Sequence, residues 1–438
     1  MKKNFYLFQE EISPQIYLHY NSFSNEFLLL NKTKHEIFNN YNCEDIEKFD
    51  NSLYNKLLEN YFIVPDDFDE FEVVKNLKRQ MQYNSNMYQI MINTTLDCNL
   101  NCWYCYENRI SKSYLNEDTI KAIKKNIEYE YQSARYNTLK VSFFGGEPLL
   151  YFEGVKKILD YAKEFCDNKE IALTTEFTTN ATLINEEKVD YLKSFNSSFQ
   201  ITLDGDRKVH NSIKKDILNP STDTYQKTIE ALRLINSKIP NRGVAVRVNF
   251  DNRALRKIDE IINDIDFMDR KSTFVILKKV WQIPTNKVDR ELLHSAIQKF
   301  FDKKFLLDYY IMPKGYLCFA ERQRHIILFN YDGKVFKCST VSSFDEKESL
   351  GKLNFETGQI KWDLTKMANW FKDITQKECE ECKWFPACFG PCNKQLLANT
   401  GKFICTFDSM NMDSKEYLMY SFKYHLLKEE LNQVAHQI

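Results

Sequence analysis

The pattern of apolar and polar positions changes character twice along the chain. From Tyr88 to about Trp281, short β-rich runs alternate with stretches of helical periodicity. QIMINTT, LKVSFFGG, IALTTEFTTN, FQITLDGD, GVAVRVNF and STFVILKKV read as strands; between them, Asp118–Tyr131 and Tyr225–Ile235 repeat apolar residues at helical spacing. Such alternation predicts an α/β fold of right-handed βα units around a parallel sheet, with chemistry at the carboxyl ends of the strands.

Residues 1–80 read differently, as a small separate module. Ile16–Tyr20 and Glu26–Leu30 are strand candidates joined by the turn-rich NSFSN. Thr33 is a potential N-cap for a helix through Tyr41, and Asn51–Asn60 is a second helix with Leu53, Leu57 and Leu58 on one face, followed by the β-rich YFIV. Strands followed by short helices suggest a winged helix-turn-helix. The many acids here, among them Glu44, Asp45, Asp66 and Asp67, argue against a phosphate-binding surface. Glu70–Gln82 is a charged helical linker. Beyond residue 290 the pattern turns irregular: a helical connector at Asp289–Phe305, a hairpin with a D-G turn in YDGKVFKC, and an amphipathic helix at Ser414–Ala435. That helix carries Tyr420, Tyr424, Leu427, Leu431 and Val434 on a packing stripe. The expected divisions are thus 1–80, 81–290, 291–412 and 413–438.

Size and charge exclude several classes. At 438 residues the prior is about three domains of ~150 residues. Sixty Lys and Arg against 61 Asp and Glu leave a net charge of -1, so no global field draws the protein to nucleic acid. No run approaches the ~20 apolar residues of a membrane span, and MKKNFYLFQEEIS is too short in its apolar part for a secretory signal. A soluble cytoplasmic protein is expected. Its twelve cysteines then point to metal binding, because the cytosol keeps thiols reduced. Two stand apart: Cys166 reads as a buried small hydrophobe and Cys43 as a loop thiol.

Three cysteines stand in TTLDCNLNCWYCYENR, where Cys98, Cys102 and Cys105 form C-x3-C-x2-C. Three thiolates cannot close a tetrahedral zinc site, but they leave one iron of a four-iron cluster open for chemistry. With Tyr104 before the third cysteine, this stretch resembles the radical S-adenosylmethionine (SAM) superfamily. The resemblance implies that SAM chelates the open iron and is cleaved to a 5′-deoxyadenosyl radical, and that the strands form a partial (β/α)6 barrel. It also implies SAM contacts. Gly145, Gly146, Glu147 and Pro148 match the family's GGEP run, which grips the SAM amino group, and the two glycines let backbone approach a ligand closely. Thr179 and Asn180 fall where relatives contact the ribose, and Thr202 where a hydroxyl approaches the carboxylate. Arg247 and Asn249 are polar residues within an apolar strand and are expected to face the lumen. Lys214 occupies a position where relatives often carry Arg.

The remaining seven cysteines resemble the SPASM pattern: Cys318, Cys338, then Cys379-x2-Cys382-x5-Cys388-x3-Cys392 and Cys405. The resemblance implies two auxiliary four-iron clusters, one held by Cys379, Cys382, Cys388 and Cys405, the other by Cys318, Cys338 and Cys392. Its fourth ligand is open: Arg324 stands where some relatives place a cysteine, and His325, an oxygen or the substrate are the alternatives. The first module looks like the precursor-recognition element of peptide-modifying relatives, with a leader peptide pairing along Phe27, Leu28, Leu29 and Leu30 and using pockets near Leu53 and Leu57. The expectation is a peptide maturase that cross-links a ribosomal precursor, served by a small electron donor such as a flavodoxin or ferredoxin, without nucleic acid or membrane partners. A sulfatase-maturing enzyme is the rival; relatives of that type carry Asp after the hairpin cysteine, where this chain has Ser339. A non-catalytic metal-binding or electron-transfer protein is a competitor of another class.

Overall fold

A computed structural model describes residues 1–84, 86–240, 242–280, 287–310, 317–341, 343–372, 374–398 and 402–435. Trp281 and the side chain of Val434 lie outside the described residues. The chain divides into two compact units.

The larger unit comprises Asn84–Tyr309, Gln323–Ala368 and Lys423–Ile438. Within it, seven consecutive strands pair in parallel. With the three strands of the N-terminal module described below numbered β1–β3, these are β4 (Met87–Thr95), β5 (Thr138–Gly145), β6 (Ala172–Thr179), β7 (Ser197–Leu203), β8 (Val244–Phe250), β9 (Thr273–Lys279) and β10 (Leu306–Asp308). All six expected strands are present in sequential order, and the strand Leu306–Asp308 adds a seventh. On the other edge, Ile327–Phe329 pairs with β4 in parallel and leads into a meander of three short antiparallel strands. This open, curved sheet is the partial barrel.

Alternation sets its two faces. In β7, Ser197, Phe199, Ile201 and Leu203 are buried, while Ser198, Gln200 and Thr202 are half-buried on the opposite face. The apolar faces of the crossover helices cover the outside. Glu117–Ala134, for example, is started by Asn116, whose side chain accepts from Thr119 N, and buries Ile120, Ile123 and Ile127.

The smaller unit comprises Met1–Tyr83, Tyr310–Arg322 and Asn369–Phe422. Its sheet has the order β1 (Leu7–Ser13), β2 (Ile16–Asn21), β3 (Glu26–Asn31), all antiparallel. Four helices follow: α1 (Lys32–Asn40), α2 (Cys43–Phe49), α3 (Asn51–Glu59) and α4 (Glu70–Tyr83). Asn31, not Thr33, caps α1, because its side chain accepts from Lys34 N. Cys43 is no loop thiol; it opens α2 and is buried beside Ile46.

A second correction concerns the expected peptide groove. Leu28, Leu30, Leu53 and Leu57 pack together in one core with Phe38 and Phe62, so their side chains close the sheet onto α3. On β3 Leu29 is exposed, at 53%, as are the polar end residues Glu26 and Asn31, while Phe27 stacks on Tyr20 and contacts Phe422. Among the described residues the strand itself remains an edge, bonded to β2 alone.

The rest of this unit is built on the same module. Trp384, between Cys382 and Cys388, has its ring 4.2 Å from Phe8, 5.5 Å from Tyr20 and 5.2 Å from Tyr417, and its indole N–H donates to Ser414. Leu57→Ala should therefore lower the unfolding free energy by about 2–5 kcal/mol in denaturant titrations, whereas Leu29→Ala should fall within about 0.5 kcal/mol of wild type.

Candidate functional site

The loop after β4 carries the cysteine triplet, and backbone contacts fix it. Gly146 N donates to Thr95 O at 3.0 Å and Glu147 N to Asp97 O at 2.9 Å. A Cβ on Gly145, where φ is +109°, would stand 2.2 Å from Thr95 O, and one on Gly146 would stand 2.2 Å from Asp97 O. The glycine pair thus approaches the carbonyls of the cysteine loop closely, and both glycines also lie on the wall of the cavity described next.

Asp97 organises the same loop from within. Its carboxylate accepts from Cys98 N at 2.9 Å, Lys112 N at 3.0 Å and Arg109 Nε at 2.7 Å. Burial opposes the charge, yet the Lys112 N–H and the Arg109 guanidinium hold the carboxyl below its usual range. Leu100–Cys102 then pairs with Lys214–Asp216 as a short antiparallel ribbon.

The carboxyl ends of β4–β9 and this loop enclose a cavity of about 340 Å³. Cys98, Cys102 and Cys105 lie on its wall together with Tyr104, Gly145, Gly146, Thr179, Asn180, Thr202, Arg247 and Asn249. Glu147 and Pro148 do not. Glu147 is fully buried behind the wall, its carboxylate accepting from Thr179 Oγ1 at 2.7 Å, Asn180 N at 2.8 Å and Leu149 N at 3.0 Å. It braces the ends of β5 and β6. Burial pushes its carboxyl up, against those three donors.

Sequence reasoning discounted Lys214, which the structure makes central. Its ammonium is buried, donates to Thr202 Oγ1 at 2.7 Å and lies 3.5 Å from Asp204. Tyr104 OH donates to Asp204 at 2.5 Å and Asn249 Nδ2 donates to it at 2.9 Å, while Arg247 Nε reaches Asn249 at 3.0 Å. Burial works against the Lys214 charge, but the Asp204 carboxylate keeps its pKa raised. Asp97, Gln200, Lys279 and Glu107 are further wall or support residues that sequence reasoning missed. Asp97 had a legible signal, as an Asp directly before the first cysteine of a tight loop.

The donor set fits a cluster. Burial pushes Cys98 up to about 12 and Cys102 up to about 11, so these thiols need a bound cation to become thiolates. Asn180 Nδ2 points at Cys98 Sγ from 3.8 Å and Leu100 N from 3.4 Å, as donors to a thiolate would. Glu107, also on the wall, is pushed up to about 8 by burial.

In the smaller unit, Cys379, Cys382, Cys388 and Cys405 line one cavity of about 40 Å³ walled by Trp384, Phe385, Phe403 and Phe407. Burial pushes Cys388 up to about 11. Cys318 and Cys392 belong to this unit and Cys338 to the larger one. Arg324 pairs with Glu130, and His325 is buried with its carbonyl accepting from Lys337. Among the described residues no three His, Cys, Asp or Glu side chains converge on a single-ion site. None of the twelve cysteines forms a disulfide among the described residues.

Two outcomes follow. Gly146→Ala should abolish iron uptake by the triplet, measured as iron per protein after anaerobic reconstitution, since the added methyl must displace the Asp97 carbonyl. Because its pKa is depressed, Asp97 should stabilise the apoprotein fully above pH ~4 and lose that contribution as the pH falls further. The difference in unfolding midpoint between wild type and Asp97→Asn should therefore be constant at pH 5–8 and shrink in acid.

Residues 92–265 match the model of the radical SAM superfamily. The chain is 25% identical to the radical SAM cyclopropyl synthase TigE of Paramaledivibacter caminithermalis over 49% of its own length and about half (48%) of that protein's. It is 23% identical to a cysteine-type anaerobic sulfatase-maturating enzyme of Clostridium perfringens, over 68% of this chain and 86% of that one. Among solved structures, Streptococcus suis SuiB bound to its precursor peptide SuiA shares the fold with a TM-score of 0.51 at 15% identity, over 91% of this chain and 97% of that chain. With the cysteine triplet, the parallel strand order and the cavity at the strand ends, this match identifies residues 92–265 as a radical SAM domain.

Proposed function

We propose that this protein is a peptide maturase that binds the leader of a ribosomal precursor and cross-links residues of its core. The observation that carries the reading is the single cavity in which the three thiols of the C-x3-C-x2-C loop meet the carboxyl ends of six parallel strands. Cys98, Cys102 and Cys105 hold a four-iron cluster, and Gly145, Asn180 and Thr202 face the space SAM takes beside it. Lys214 and Asp204 form a fixed, nearly neutral floor. When bound, cluster and SAM supply a carbon-centred radical able to take hydrogen from an unactivated position.

Closing a bond in the core removes a second hydrogen, as a proton and an electron. The auxiliary cysteines provide a place for that electron: Cys379, Cys382, Cys388 and Cys405 hold one closed cluster. The dry aromatic surroundings of the first set suit a cluster that exchanges electrons and binds no substrate. A small flavodoxin or ferredoxin supplies the reducing electron, in a cytoplasm that keeps the remaining thiols free. The N-terminal module supports a peptide substrate: β3 has an unpaired edge onto which an extended leader can add a strand through main-chain bonds. That TigE is named a cyclopropyl synthase and SuiB binds a precursor peptide supports the same class.

Formylglycine formation is the second reading, favoured by the likeness to the sulfatase-maturating enzyme. Ser339 after Cys338 offers no carboxylate base there. The reconstituted protein, given SAM, a reductant and the small precursor encoded beside its gene, should yield a peptide lighter by two hydrogens together with 5′-deoxyadenosine. A sulfatase-type cysteine peptide should emerge unchanged. SAM cleavage with every peptide mass unaltered would overturn the proposal.

A further inference from the structure

The cysteine loop has two sides. Cys102, Tyr104 and Tyr106 line the cavity, whereas Trp103 does not and is 52% exposed. In the ribbon of Leu100–Cys102 and Lys214–Asp216 exposure alternates: Leu100 and Lys214 are buried, while Asn101 and its cross-strand partner Lys215 are exposed. Ile217 N extends the pairing to Asn99 O at 2.9 Å, and the next residue, Leu218, is 96% exposed. At the usual strand rise, Asn99 to Trp103 spans about 13 Å, so one small footprint covers both ends of the ribbon. Lys215 and Lys112, the latter on the continuation of the cysteine loop, are exposed and make no ion pair among the described residues. Neither they nor Leu218 line the cavity.

An exposed tryptophan and leucine bordered by unpaired cations have the make-up of a protein docking surface, with an apolar centre and a charged rim. A substrate peptide has to enter the cavity, from which these side chains are turned away. What has to reach the loop from outside is an electron. Of the three cysteines Cys105 is the exposed one, so the iron ligand closest to solvent lies two residues from Trp103. Electron transfer weakens steeply with distance, which favours entry at that point. The two lysines select an acidic carrier. The aromatic and apolar centre selects a redox group presented as an apolar ring edge, as a flavin is.

Resting on the proposed cluster and SAM chemistry, we propose that the outer side of the cysteine loop, formed by Trp103, Leu218, Lys112 and Lys215, docks a small acidic flavin carrier of the flavodoxin class. One electron passes from the carrier's reduced flavin, which is oxidised by one electron, to the cluster, which is reduced by one. No bond forms or breaks, and the carrier then leaves.

The test compares reconstituted full-length wild type, Trp103→Ala, Leu218→Asp and Lys215→Glu for release of 5′-deoxyadenosine from SAM. The electrons come either from a reduced bacterial flavodoxin or from dithionite, which needs no docking. With flavodoxin, Trp103→Ala should raise the apparent KM for the carrier about tenfold, and Leu218→Asp and Lys215→Glu about threefold or more. The wild-type KM should climb as salt rises from about 50 to about 300 mM. With dithionite, rate and iron content should stay within about twofold of wild type in every variant, because none of these side chains lines the cavity. Three results overturn the proposal: an unchanged KM for flavodoxin in Trp103→Ala and Leu218→Asp; an equal loss of rate in the dithionite arm, which assigns these residues to the fold of the loop; or a wild type served by a ferredoxin and not by flavodoxin, which assigns another carrier. If wild type releases no 5′-deoxyadenosine even with dithionite, the parent reading fails, and this one falls with it.

Discussion

Two carbonyl oxygens, those of Thr95 and Asp97, decide where the cysteine loop can sit. Each is met by the backbone of the Gly145–Gly146 pair at a distance that leaves no room for a side chain. The end of one strand is thereby fastened to the loop leaving its neighbour by main-chain contacts, which have no rotamers to lose. The Asp97 carboxylate gathers three more donors from the loop, so the positions of Cys98, Cys102 and Cys105 follow from the sheet. A loop that wandered by an ångström could not hold the three thiols together on the cavity wall.

Charge is handled with similar economy. A lysine and an aspartate buried together are costly unless their remaining hydrogen-bonding capacity is met. Here Thr202, Tyr104 and Asn249 meet it, and in doing so they join the cysteine loop to the ends of β7 and β8. The same ammonium favours the charged form of Cys98 and Cys102, against the burial that disfavours it. Lys214 therefore serves the thiolates as well as the fold. A lysine can do this where a guanidinium is usual because the contact is a point charge with one hydroxyl acceptor, a geometry that needs no planar fork.

The six long strands were legible because each carries a contiguous β-rich run. The three-residue strands at Leu306–Asp308 and Ile327–Phe329 are too short for any period to register. Cysteine spacing exposed the candidate iron ligands, since chemistry fixes it locally. The glycine pair announced a close approach, yet nothing in a linear pattern identifies its partner as a carbonyl about fifty residues upstream. The pairing of Asp204 with Lys214 was hidden for a similar reason, because a helix and a turn intervene. Leu53 and Leu57 display the opposite error. Periodicity correctly marked their face as apolar, but an apolar face looks the same whether it lines a groove or seals a core. Cys43 was misread despite an available signal, Asn42 capping α2 through Asp45 N.

Trp384 ties the N-terminal module to the cysteine-rich segment. Its indole lies among Phe8 and Tyr20 of the module and Phe407 and Tyr417 of the tail, in the same sequence stretch as Cys382 and Cys388. The two ends of the chain thus share one core, and their inheritance is shared with it. The module cannot be exchanged as a cassette cut at residue 83: a transplant would strip aromatic cover from the tail and leave its own sheet bare. Any recombination that replaces residues 1–83 has to carry residues 369–422 along, so the N-terminal module and the cysteine-rich segment are expected to evolve as a single piece.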